Sequence, residues 1–195
     1  VGEVERLGRM VQGPLALARL ENTATTPEPV DMDTVLTDRV AIWEPLAAEQ
    51  YVALDITGPP TGQVWAIPGA LEQIIDNLLA NALRVSPPGT SITLHRIPGT
   101  ELHIVDQGPG MSAADRERVF DRFWRSSDSH HDGTGLGLPI VRHLVDASGG
   151  AVTLRPGPGT GLAARIRLRP VAAGPRAARA GGEDFGSRRS IGMGI

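Results

Sequence analysis

The sequence contains no cysteine, so neither disulfides nor thiolate metal centres can brace it. Lysine is absent as well. All 19 basic residues are arginine, which reads as the mark of a GC-rich gene rather than of a function. No apolar run approaches the ~20 residues that a bilayer span needs, and no signal-peptide pattern opens the sequence. There is no block of basic residues, and the net charge is −3, which argues against nucleic-acid binding through a charged surface. Aromatic residues make up only 4%. What is present suits one globular domain with a short appendage: 195 residues, 41% hydrophobic and 21% charged. Gly 24 and Pro 16 make the chain rich in turns.

Residues 1–22 carry Val4, Leu7, Val11, Leu15 and Ala18 close to a heptad seam, interrupted by Pro14. They read as the remnant of a helix, followed by a linker over 23–29. A compact unit is expected over 30–170. Its elements would be a strand beginning at Val30–Asp31, a helix over 34–50 bent at Pro45, and strands over 51–56 and 64–67. A helix over 69–85 comes next, then alternating strands over 91–97 and 101–106 joined as a hairpin. A short helix over 112–120, a polar loop over 124–134 with the pattern of mobility, and a helix over 137–147 follow. Strands over 151–155 and 161–169 close the unit as a second hairpin. The stretch 171–195 lacks any period and reads as a disordered tail. Mixed strands and helices in this order predict an α/β two-layer sandwich, with a mostly antiparallel sheet of about five strands covered by about three helices.

The segment LEQIIDNLLANALRVS (71–86) holds the first chemical signal. Leu71, Ile75, Leu78 and Ala82 form a core-facing stripe, while Gln73, Asn77, Asn81 and Arg84 fall within about 80° of one another on the other side. Asparagine is a poor interior helix residue, because its amide competes for backbone hydrogen bonds. Two of them, four residues apart, could supply oxygen ligands to magnesium, and Arg84 could reach a phosphate. The same face could instead be simply solvated. A second signal is ELHIVDQGPGM (101–111), where Asp106 ends a strand and Gly108 and Gly110 allow close backbone approach. Asp106 could accept a hydrogen bond from an amino group, or it could merely close an Asx turn. A third is GTGLGL (133–138) directly before a helix, where backbone N–H groups and the helix end suit phosphate. No Gly-Lys-Ser/Thr follows, so it is not a P-loop.

Taken together these segments resemble the ATP-binding catalytic domain of sensor histidine kinases over about residues 30–170. NLLANALRVS resembles that family's asparagine box and VDQGPGM its first glycine box. RVFDRFWRSSDS (118–129) resembles the phenylalanine box, GTGLGLPIV the second glycine box, and GPGTGLAARIRL the closing hairpin. Residues 4–21 resemble the second helix of the dimerisation and phosphoacceptor domain. The resemblance implies a Bergerat-type ATP-binding fold, with ATP and Mg²⁺ as ligands. It implies Asp106 on the adenine amino group, Asn81 on Mg²⁺ with Asn77 beside it, and Arg84 facing the phosphates. Gly108, Gly110, Gly133, Thr134, Gly135, Leu136, Gly137 and Leu138 would frame the nucleotide. Residues 124–134 would be the ATP lid, anchored by Phe120 and Phe123. Arg125, and with it Arg122, would assist at the γ-phosphate. It further implies a histidine phosphoacceptor domain and a response regulator as partners, a cytoplasmic location, and no direct membrane contact by this segment of a membrane-anchored parent.

Gyrase, heat-shock chaperone and mismatch-repair ATPases share the superfamily, and resemble one another in a glutamate that activates water. That position falls on Asn77 here. An amide is no general base at neutral pH, so transfer is favoured over hydrolysis. Departures also matter. None of the five histidines has the acidic-then-basic context of the phosphorylated histidine, so the acceptor lies outside this sequence, in a removed segment or on a partner of a split kinase. Val85 stands where the family often has an aromatic, so affinity for the base should be modest. His130 and His131 read as solvated loop residues. Two other functions fit parts of the pattern: an anti-sigma-factor-type serine kinase, and a nucleotide-binding regulatory module without catalysis.

Overall fold

Alternation is the first thing that organises the chain. In β4 (Ser91–Ile97) and β5 (Glu101–Val105), Ile92, Leu94, Leu102 and Ile104 are buried and their neighbours are not. A strand with period two must hide one face, and here the cover is helical. The computed structural model describes residues 26–121 and 135–172. Among them β4 and β5 join β2 (Ala53–Thr57), β6 (Ala151–Pro156) and β7 (Leu162–Arg167) in a five-stranded sheet in the order β2-β4-β5-β7-β6, with β5 at its centre. β2 pairs with β4 in parallel, and the other three pairings are antiparallel. The predicted α/β two-layer sandwich, with a mixed and mostly antiparallel five-stranded sheet, is what forms.

Helices α1 (Met32–Glu49), α2 (Ala70–Val85) and α4 (Gly137–Ala147) cover that sheet, with α2 packed against both α1 and α4; a short α3 covers Ala113–Arg118. Helix α2 buries Leu71, Ile74, Ile75, Leu78, Leu79 and Ala82, the expected stripe widened by its neighbours. Each fully buried Leu or Ile contributes roughly 1.5–3 kcal/mol, so α2 is anchored by its back and free to spend its other side on polar residues. Helix α4 begins and ends where the sequence pattern placed it.

Most boundaries fall within two residues of expectation, and three differences have a clear physical reason. Helix α1 starts two residues early because the Asp31 side chain accepts from the Thr34 N–H at 2.9 Å, an N-cap. As expected, it is a single helix with Pro45 inside it. Strand β1 (Glu28–Asp31) takes in two residues of the stretch read as linker, since Glu28 and Pro29 register against Ala66 and Trp65 of β3 (Gln63–Ala66). The last strand divides. Leu168 is buried, and its N–H donates to Thr100 O while its carbonyl accepts from Thr100 Oγ1. Beyond that pin β8 (Arg169–Pro170) joins β1 and β3 in a small second sheet, β1-β3-β8. Asp33 ties the two sheets together by accepting from Thr61 and Gly62 N–H and from Arg96 at 2.8–2.9 Å.

Candidate nucleotide site

Helix α2 leaves one side off the core, and the asparagines lie there, half-buried. The Asn77 Nδ2 donates to Gln73 O at 2.7 Å. That bond orients the amide, so its oxygen is the atom left to the outside. Asn81 Oδ1 accepts from the Arg84 guanidinium at 3.0 Å. The Asn81 Nδ2 is buried and takes no hydrogen bond in the described structure, a cost of about 1–3 kcal/mol for a buried donor.

Opposite these amides stands the start of α4. A Cβ on Gly137 would come 3.2 Å from Asn77 Oδ1 and 3.4 Å from Asn81 Nδ2. A methyl there would crowd the Asn77 oxygen, so the start of α4 lies directly against both amides. Leu136, the residue at the helix boundary, has no side chain that could cap the helix, and Pro139 carries no N–H, so Gly137 and Leu138 supply the N–H groups at the positive end of the α4 dipole. The residues fit a magnesium-bound phosphate chain chemically. The asparagine oxygens are hard ligands, the orphan Asn81 Nδ2 needs an acceptor such as a phosphate oxygen or a metal-held water, and Arg84 adds positive charge.

A second group of candidate residues is built around Asp106, 5% exposed. Burial pushes its pKa up, and hydrogen bonds from the Gly108 and Leu162 N–H groups pull partly the other way. Both bonds end on Oδ1, at 2.8 and 3.2 Å. Gly108 lies against the end of α2, where a Cβ would meet Val85 Cγ2 at 2.8 Å. Helix α2 therefore links the two groups of residues. Val85 touches the Asp106 loop, Asn81 is one turn back, and Asn77 another, about 12 Å from Val85 at 1.5 Å per residue.

The remaining predicted residues are placed as follows. Gly110 adopts φ 72° and Gly135 φ 68°, conformations that favour glycine. Leu136 is buried and Leu138 packs against the core, so their contribution to any ligand is through the backbone. Phe120 packs against the core too, with the Arg142 guanidinium 4.5 Å from its ring centre. Arg122, Phe123, Arg125, His130, His131, Gly133 and Thr134 lie outside the described residues, as do the stretches read as a helix remnant and as a lid, and all but the first two residues (171–172) of the predicted tail. Sequence reasoning missed Leu162, whose N–H and carbonyl both bond Asp106. Its only signal was its position at the start of the closing strand.

Residues 66–172 match the family described as histidine kinase-, DNA gyrase B-, and HSP90-like ATPase. The sensor-like histidine kinase SenX3 of Mycolicibacterium smegmatis is 32% identical over 169 residues, covering 83% of this chain and 44% of SenX3. The sensor protein kinase PmrB of Pseudomonas aeruginosa is 32% identical over 191 residues, covering 90% of this chain and 40% of PmrB. The chain thus spans less than half the length of either relative. Among solved structures, the mycobacterial sensor histidine kinase MprB superposes with a TM-score of 0.62 at 33% identity, over 74% of this chain and 99% of that one. Full-length ShkA in complex with AMPPNP gives a TM-score of 0.67 at 31% identity, over 86% of this chain and 37% of ShkA.

Proposed function

The chain belongs to the histidine kinase-, DNA gyrase B-, and HSP90-like ATPase family, and from that premise we propose that it is the ATP-binding kinase region of a two-component sensor, which passes the γ-phosphoryl of ATP to a histidine on another segment or chain. The observation that supports this best is the approach of Gly137, at the start of α4, to the Asn77 and Asn81 side chains, so close that a methyl there would crowd them. Asp106 would accept the adenine amino group. Asn81, with Asn77 beside it, would hold Mg²⁺, and Arg84 and the backbone of 135–138 would face the phosphates. Magnesium bound there would supply charge neutralisation on the phosphate oxygens. The chain's own residues position: Asp106 fixes the base, α2 sets the distance to the phosphates, and the N-terminus of α4 offers N–H donors. Phosphoryl transfer is mostly positioning and electrostatics, and Asn77 offers no base to activate water.

Arg125, Phe123, Gly133 and Thr134 belong to the same proposal as phosphate-side residues, and a response regulator as the second acceptor. A cytoplasmic location belongs to the same proposal; no helix among the described residues is long and apolar enough to cross a membrane. The test is to mix the chain with γ-labelled ATP and a histidine-bearing acceptor domain. Acid-labile, alkali-stable label on the acceptor is expected. Acid-stable label would instead indicate a serine kinase, and nucleotide binding with no label at all a non-catalytic module.

A further inference from the structure

We propose that the turn joining β6 to β7, through Thr160, is a positioning device for the base end of the nucleotide site. The inference rests on the reading that Asp106 meets the base. The loop 106–110 carries two glycines around Pro109; the proline fixes its own φ, but the glycines on either side leave the placement of the loop open. Its internal tie is the bond from Gly108 N–H to Asp106 Oδ1. The carbonyl of the same glycine accepts from Thr160 Oγ1 at 2.9 Å. Gly108 is therefore pinned on both sides, by Asp106 at its nitrogen and by Thr160 at its oxygen. The turn also presses directly on the loop. A Cβ on Gly161 would lie 1.9 Å from Asp106 O, and one on Gly110 would lie 2.1 Å from Thr160 O. Leu162 then bonds Asp106 through both its N–H and its carbonyl. The turn holds its own shape through Gly157 N–H to Gly161 O at 2.8 Å. A segment more than fifty residues away in sequence thus sets where the carboxylate and the adjacent glycine stand.

A hydroxyl-to-carbonyl bond of this kind contributes about 1 kcal/mol, which corresponds to roughly fivefold in affinity. Thr160→Val removes the donor and keeps the shape, and Thr160→Ser keeps the donor. For Thr160→Val the dissociation constants of ATP and ADP should rise together, by about three- to tenfold. KM for ATP should rise equally with kcat at saturation unchanged, because the device acts at the base and not at the phosphates. Thr160→Ser should stay within about twofold of wild type. Amide hydrogen exchange at Gly108, measured without nucleotide, should quicken in Thr160→Val and not in Thr160→Ser. Unchanged affinity in Thr160→Val while the wild type binds ATP would overturn the proposal, as would lost kcat with KM unmoved. Unchanged exchange at Gly108 would overturn it even if the wild type bound no nucleotide, an outcome that separately refutes the reading of the site.

Discussion

Replacing Asp106 by asparagine separates binding from stability. Two N–H groups, from Gly108 and Leu162, already converge on Oδ1. An asparagine in this place must turn its oxygen toward them, so its NH₂ occupies the other carboxylate position. In the proposed complex that position faces the adenine amino group, and donor would meet donor. A hydrogen bond to a charged acceptor is worth about 1.5–3 kcal/mol, so ATP affinity should fall by about 10- to 150-fold. The fold should not suffer. Burial raises the Asp106 pKa above its ordinary 3.8, so the folded chain holds this proton more tightly than the unfolded one. Stability therefore declines as pH rises from the ordinary value through the raised one, and the penalty persists at neutral pH. The variant never ionises, so it should melt at the same temperature as wild type or higher at pH 7, and the difference should vanish in acid. Guanine carries a carbonyl where adenine carries the amino group, so the variant should also lose preference for ATP over GTP. Calorimetric titration and thermal melts at two pH values read all of this. Undiminished ATP affinity, or a collapse of the melting temperature, would refute the reasoning.

Gly137→Ala should weaken ATP binding several-fold, because the new methyl presses on the asparagines, while the melting temperature changes by no more than a few degrees, since Gly137 is the first residue of α4 and the asparagine side chains can give by a few tenths of an ångström; titration and melting on one sample check both. Asn81→Ala should abolish phosphoryl transfer and remove the magnesium dependence of ATP binding while leaving metal-free binding near wild type, as titrations with and without Mg²⁺ would show. Asp33→Ala should cost about 2–4 kcal/mol in denaturant unfolding, because Thr61 and Gly62 N–H and the Arg96 guanidinium all lose their acceptor; nucleotide affinity should change little when measured below the unfolding transition.

What the sequence made legible was local. Helix α4 could be bounded because glycine, proline and a strong apolar period coincide over 137–147, and α2 because its apolar stripe is unbroken. The asparagine face was visible for the same reason: a polar pair in an apolar helix conflicts with propensity, and such conflicts mark function. What stayed hidden were contacts between distant segments. Nothing around Glu28 or Arg169 announces that both join β3 in a second sheet, because strands of four and two residues carry too little pattern. Nor could the sequence show that Thr160 bonds Gly108, or that Leu162 serves Asp106. Those bonds depend on β5 and β7 being neighbours, a pairing across some sixty residues.

The most direct test of the central claim is a crystal of the chain with a non-hydrolysable ATP analogue and Mg²⁺. Metal density about 2.1 Å from the Asn81 side-chain oxygen, with the adenine amino group on the Asp106 carboxylate, is the predicted result. A nucleotide bound away from α2, or a metal with no asparagine ligand, would contradict the account.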